Sequence, residues 1–330
     1  MISPRPLVVT FGEVLMRLGT PHAERLSQAT RFEFGFTGCE VNAGVSLVNF
    51  GDRCRLVTTL PESILGEACI QSLRGSGVEL DHVKRAGSRL GIFYLESGAS
   101  QRPSQVLYDR AGSSFASSVP GDFDWGAALA EANWFHFSAI TPALGAGVMA
   151  ALVEALEQCV RLGVPVSCDV NFRSALWGRP EARSVLERLL PFVTVLIGPF
   201  AVFEPPSQDG RVVVARSLMN DFGIETVAYT SRHSHSASHN TWQASIIRSG
   251  TLVDSSVYDI APIVDRVGSG DAFSGALIHG LLHGWDDQRI VEFAAAASCL
   301  KHSIRGDFNR VSESEVEHLL KTGGHGHIQR

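Results

Sequence analysis

Asp265-Arg266-Val267-Gly268-Ser269-Gly270-Asp271 stands between a stretch read as a strand and a helical pattern that puts Ala272, Phe273, Ala276, Leu277, Gly280 and Leu281 on one face. Two glycines let the backbone turn tightly, and the start of the helix aims free N–H groups at whatever lies in front of it. A developing phosphate charge suits that position. Asp271 falls in the first helical turn, where the helix dipole favours a carboxylate for structural reasons alone, so the segment reads either as an anion site with a base or as a glycine loop with a stabilising acid. No Gly-Lys pair occurs anywhere in the chain, which excludes the lysine-containing phosphate loop.

Upstream, short β-branched runs at 7–11, 53–59, 134–138, 165–169, 194–197 and 226–230 alternate with helical patterns at 41–50, 65–75, 145–162, 181–190 and 211–221. That is the β-α-β rhythm of a mostly parallel sheet. Two regions break it, 14–36 and 92–110, which look like short strands with turns and no crossover helix. They are expected to form a small accessory sheet beside the main one. The pattern at 290–300 is apolar nearly all round, as in a helix buried between layers. Nothing repeats and no low-complexity linker divides the chain, so residues 1–330 read as one domain with a lid, and 322–330 as a frayed tail.

The 330 residues are 45% hydrophobic and 19% charged, with a formal net charge of −6. This balance argues against a nucleic-acid surface. No apolar run reaches the ~18 residues of a membrane helix, and the start carries too short an apolar stretch for a secretory signal, so a cytoplasmic location is expected. Six scattered cysteines without a Cys-x-x-Cys pair read as reduced, mostly buried thiols. His233, His235 and His239, and His325 and His327 in the tail, lack the fixed helical spacing of a zinc centre and read as solvated loop histidines.

The glycine turn resembles the Asp-Thr-x-Gly-Ala-Gly-Asp motif of the ribokinase-like (PfkB) sugar kinases. Thr37-Gly38-Cys39-Glu40-Val41-Asn42-Ala43-Gly44 resembles their Gly-Gly-x-x-x-Asn-x-Ala, with Gly38 and Asn42 matching and Thr37 and Gly44 departing. The likeness runs over nearly the whole chain and narrows toward the 2-keto-3-deoxygluconate kinases through Gly12-Glu13-Val14-Leu15-Met16-Arg17-Leu18, Tyr108-Asp109-Arg110-Ala111, Asp169-Val170-Asn171-Phe172-Arg173 and Gly306-Asp307-Phe308-Asn309. The resemblance implies an α/β three-layer sandwich with a mostly parallel central sheet and a small β-sheet lid. It implies ATP and Mg²⁺, a sugar-acid substrate, and transfer of phosphate to the 6-hydroxyl of 2-keto-3-deoxygluconate. Asp271 would be the general base, and Gly268, Ser269 and Gly270 the anion hole. Gly38, Asn42, Tyr108, Arg110, Arg173 and Asp307 would line the sugar-acid pocket. Thr230 and Arg232, with Gly268, Gly270 and the stretch 234–240, would border the nucleotide. A homo-oligomer stays open.

The residues support part of this independently. A sugar acid needs a cation for its carboxylate, and an arginine fork can bind one bidentately. Arg110 and Arg173 are the candidates; the alternative for either is a solvated charge. Arg173 stands just past the C-terminal end of an expected strand, where ligand sites of parallel sheets lie. Tyr108 reads as pocket or lid packing, and Asp169 and Asn171 as holders of a phosphate-bound metal or as loop-ordering groups. One departure stands out. Relatives carry Asn-x-x-Glu where this chain has Gly198-Pro199-Phe200-Ala201-Val202-Phe203-Glu204, so that only a shifted Glu204 could substitute. A kinase for a neutral ketose such as fructose, and a sugar-binding relative without turnover, are the alternatives.

Overall fold

A computed structural model describes residues 5–205, 207 and 210–323. Its strands are β1 (Leu7–Phe11), β2 (Leu15–Gly19), β3 (Glu33–Thr37), β4 (Arg53–Leu60), β5 (Val83–Arg85), β6 (Gly91–Glu96), β7 (Gln105–Asp109), β8 (Trp134–Ser138), β9 (Val166–Asp169), β10 (Val195–Ile197), β11 (Thr226–Ser236), β12 (His239–Arg248), β13 (Thr251–Asp254) and β14 (Tyr258–Ile260). The helices are α1 (Cys39–Asn49), α2 (Ile64–Gly75), α3 (Trp125–Ala128), α4 (Ile140–Ala143), α5 (Ala146–Leu162), α6 (Arg179–Leu189), α7 (Gly210–Phe222), α8 (Ser269–Leu282), α9 (Asp287–Lys301) and α10 (Glu313–Thr322).

The main sheet runs β13-β12-β11-β10-β9-β8-β1-β4-β5, parallel from β11 to β5 and antiparallel at β12 with its neighbours. β1 is an interior strand between β8 and β4 and is buried along its whole length. Alternation along a strand divides its side chains between two faces. Leu7, Val9 and Phe11 pack with Val148, Leu152 and Leu156 of α5, while Val8 packs with Leu47 of α1 and with α8 and α9 on the other side. Two helical layers therefore enclose the sheet, and because both faces are covered the inner strands β1, β8, β9 and β10 are buried along their whole length. The all-round apolar helix expected at 290–300 is α9, with Ile290, Val291 and Phe293 through Ser298 buried.

The two irregular regions pair into a separate four-stranded sheet, β3-β2-β6-β7, antiparallel except where β2 meets β6. Leu15, Phe93 and Leu95 on its inner face pack with Tyr108 and with Val267 of the glycine turn. One strand departs from the sequence reading. β11 does not stop at Thr230 but runs to Ser236 and turns back as β12, and Ala237 N–H bonds Ser100 O in the β6–β7 connection at 2.7 Å. Alternating serines and histidines carry no apolar period, which hid this strand from a hydrophobicity-based reading. His233, His235 and His239 accordingly sit on a hairpin with their rings in contact, not in a loop. His325 and His327 lie outside the described residues. The six cysteines are free thiols, four of them buried, as expected.

Helices α1 and α8 cross closely because Gly275 has no side chain: a Cβ there would lie 2.7 Å from Ala43 O and 2.8 Å from Ser46 Cβ. Gly275→Val is expected to lower the unfolding free energy by about 1–3 kcal/mol, the usual cost of overpacking. Urea denaturation checks this, and an unchanged midpoint would show that the two helices separate freely.

Candidate active site

Asp169 ends β9 opposite Ser138 and Ile197, so the loops after β8, β9 and β10 open on one side of the sheet. There the glycine turn delivers the start of α8. Gly268 has φ +83°, and a Cβ on it would stand 2.0 Å from Asp307 O, so glycine is required both for conformation and for space. Ser269 N–H reaches Arg266 O at 3.4 Å and Ala272 N–H reaches Gly268 O at 2.9 Å. The N–H groups of Gly270 and Asp271 between them have no backbone acceptor among the described residues. A Cβ on Gly270 would meet nothing within 4 Å, so the space in front is open.

The turn is braced from behind. Ser298 Oγ donates to Ser269 O at 2.7 Å, and Asp265 accepts from Val267 N–H at 3.1 Å, Gly306 N–H at 3.2 Å and Arg17 at 2.6 Å. Lys301 is fully buried, and its Nζ donates to Ile304 O at 3.2 Å and Asp265 O at 3.4 Å. Arg17 also pairs with Asp307, whose other oxygen accepts from Thr37 Oγ1. Thr37, a departure from the double glycine of the resembling motif, thus supplies a hydroxyl to Asp307.

Asp271 is 8% exposed, and its Oδ2 accepts from Asn42 Nδ2 at 2.7 Å. Burial pushes its pKa up to about 7; the hydrogen bond from Asn42 opposes this, the nearby Asp169 adds to it, and Arg173 opposes it. Burial likewise lifts Asp169 to about 6, against a 3.0 Å bond from Asn171 N–H and the Arg173 charge. Two neighbouring carboxylates in a poorly solvated place each make the other harder to ionise.

The sequence-selected residues meet around one cavity of about 710 Å³. Gly38, Asn42 and Tyr108 line it, as do Asp169, Asn171 and Arg173, and the turn 268–271 forms its floor. Thr230 and Arg232, two apart on β11, border it beside Trp242. Arg110 and Asp307 also reach it, but both are already engaged. Glu13 holds Arg110 Nε at 2.8 Å and Nη2 at 2.7 Å, and Arg17 holds Asp307. Arg173 differs: among the described residues it forms no ion pair, and its side chain hydrogen-bonds Tyr108. Glu204 does not fill the place of the absent Asn-x-x-Glu, because it is exposed and paired with Arg179.

Four charged residues here went unassigned in the sequence reading: Glu13, Arg17, Glu40 and Lys301. Glu40 is buried and accepts from Ser138 N–H at 2.9 Å, Ser138 Oγ at 2.6 Å and Thr141 Oγ1 at 3.1 Å, tying α1 to the end of β8. Their signal is a charge inside an apolar run, which a buried position permits only with partners.

The chain belongs to the pfkB family of carbohydrate kinases, whose family model, described as "pfkB family carbohydrate kinase", matches residues 5–204 and 247–310. Among characterised relatives, a 2-dehydro-3-deoxygalactonokinase of Haloferax volcanii is 33% identical over 97% of this chain and 98% of its own. The crystal structure of a 2-dehydro-3-deoxygluconokinase from Thermotoga maritima superposes with a TM-score of 0.92 at 42% identity, covering 96% of this chain and all of that one. A structure titled as a putative 2-keto-3-deoxygluconate kinase from Enterococcus faecalis also gives 0.92, at 27% identity over 98% of this chain and 99% of that one.

Because the folded pKa of Asp271 is raised, its ionisation opposes folding. The protonated carboxyl's contribution is complete below the unfolded value of about 4 and is lost as pH rises to about 7. Asp271→Asn carries no such loss. Its Tm relative to the parent chain should therefore climb between those two pH values and level off above the upper one; a pH-independent difference by calorimetry would contradict the raised pKa.

Proposed function

We propose that this chain transfers the γ-phosphoryl group of ATP to the primary hydroxyl of 2-keto-3-deoxygluconate, giving the 6-phosphate and ADP. The observation that carries the reading is Asp271: a buried carboxyl oriented by Asn42, at a helix start whose free N–H groups face an open cavity. The substrate oxygen forms its bond to phosphorus as the bond to the ADP oxygen breaks, and the hydroxyl proton passes to Asp271. A pKa near neutrality suits a group that must accept and then release that proton. The Gly270 and Asp271 N–H groups and the α8 dipole offset the charge on the phosphoryl oxygens.

Arg173, with no carboxylate partner among the described residues, binds the substrate carboxylate. Arg110 serves differently from the sequence reading: neutralised by Glu13, it shapes the wall beside Tyr108, its guanidinium 5.2 Å from that ring's centre. Thr230 and Arg232 border the nucleotide, and the small sheet acts as a lid that keeps water from the reaction in a single catalytic unit. Asp169 and Asn171 fit a magnesium ion held through water, since Asp169 is buried, faces a second carboxylate and receives only two hydrogen bonds. Bound with ATP, the ion would neutralise phosphate charge. A cytoplasmic enzyme matches this use of ATP, and no described helix is long and apolar enough to cross a membrane.

A second reading is favoured by the Haloferax volcanii relative: the substrate is the C4 epimer, 2-keto-3-deoxygalactonate. ADP release measured with both epimers and with fructose separates these, and a higher kcat/KM for fructose would defeat the sugar-acid reading altogether.

Asp271→Asn is expected to keep ATP binding and lose ~10² to 10⁴ in kcat. The parent enzyme's kcat/KM should rise with pH through an acid limb near 7 that belongs to the Asp271–Asp169 pair together. An Asn variant with more than a tenth of parental kcat rules out the base. Arg173→Ala should reduce kcat/KM for the sugar acid on the order of tenfold or more, the loss of a charge-assisted hydrogen bond. An unchanged value would place the carboxylate elsewhere.

A further inference from the structure

We infer that Asp52, His279 and His283 form a second metal site, for a dication of the zinc class, at the opposite end of α8 from Asp271. His279 lies in the last turn of α8 and His283 caps it, so the i, i+4 spacing puts both rings on one helix face. Asp52, buried in the turn between α1 and β4, reaches both: Oδ2 lies 2.6 Å from His279 Nδ1, and Oδ1 lies 2.9 Å from His283 Nε2. One ligand atom from each residue lies within 4.8 Å of the others. Two imidazoles and a carboxylate are a donor set that zinc-class ions accept, with bonds of about 2.0–2.2 Å. Ligand atoms of a tetrahedral site then stand roughly 3.3 Å apart, so the 2.6 Å and 2.9 Å contacts have to open by roughly 0.7 and 0.4 Å.

The independent observation is the other ring nitrogen of His279. The side chain is 2% exposed, and Nε2 has no hydrogen-bond partner among the described residues. Such an orphan is costly and calls for a cause. Glu313 Oε1 lies 3.9 Å away from it at the start of α10. In the neutral ring with Nδ1–H donating to Asp52, Nε2 is a bare lone pair facing a carboxylate, which is repulsive. With Nδ1 bound to a metal, the ring proton must sit on Nε2 and Glu313 becomes its acceptor. Metal-ligating histidines commonly give their second N–H to a carboxylate in this way.

The charges agree. Asp52 has no arginine or lysine partner among the described residues, and Arg53 and Arg289 are turned to Glu79 and Glu317. Two carboxylates and two neutral rings balance a dication. The carbonyl end of α8 favours positive charge. His283 is 39% exposed, which gives an entry path and room for water as a fourth ligand. From Asp271 to His283 α8 spans about 18 Å at 1.5 Å per residue, so this site is separate from the reaction. Bound metal would clamp the α1–β4 turn to the ends of α8 and α10. The group His235, His239 and Asp259 lies at the surface and serves as the control.

Chelator-treated, tag-free protein titrated with Co²⁺ should bind one equivalent with the visible spectrum of a tetrahedral site, displaced by Zn²⁺, and Zn²⁺ should raise Tm. His283→Ala, altering a half-exposed side chain, should weaken the uptake on the order of 100-fold or more and abolish the Zn²⁺-dependent rise in Tm. His239→Ala and His325→Ala should leave both intact. No tetrahedral spectrum in the parent chain, or the same uptake in His283→Ala, would overturn the proposal and leave Asp52 as a hydrogen-bonded anchor for the two rings. If His283→Ala proves unstable, Asp52→Asn provides the same test while keeping a hydrogen-bonding side chain.

Discussion

The 2.7 Å hydrogen bond from Asn42 Nδ2 to Asp271 Oδ2 joins residues 229 apart in sequence, and the site depends on it. It exists because α1 and α8 pack on the same face of the sheet and cross at Gly275, where a side chain would push them apart. The bond fixes the carboxyl's direction and supplies part of what burial removes. Without a donor at that position, a carboxylate 8% exposed would ionise still less readily.

Around it the charges are sorted by pairing. Arg17 spends its two ends on Asp265 and Asp307, and Arg110 is held by Glu13. Lys301 lies behind the glycine turn with carbonyl oxygens as its acceptors. These groups shape the walls and hold the turn. Arg173, beside Tyr108 and Asp271 in the same cavity, has no carboxylate of its own among the described residues. Sorting by pairing thus divides two arginines that looked equivalent in the chain.

The same helix carries both chemistries inferred here, the proton-accepting carboxyl at its start and the metal cluster at its end. Its N–H end suits an anion and its carbonyl end a cation. Because α1 contributes Asn42 at one end and leads into Asp52 at the other, the two helices are joined at both ends by polar contacts across an apolar middle.

The sequence alone determined the class of fold, since the 2.0 and 3.6 periods decide locally which segments become strand and helix and in which order. It also determined the glycine turn, because Gly268 and Gly270 are legible without any partner. The end of β11 was not legible: Ser231 to Ser236 alternate polar with polar, and only pairing with β12 makes them a strand. Nor could the chain show that Glu13 neutralises Arg110, that Thr37 holds Asp307, or that Glu204 turns to Arg179, as each pairing joins residues from 25 to 270 positions apart. Charge pairing depends on distance in space, and the tertiary structure alone sets that distance.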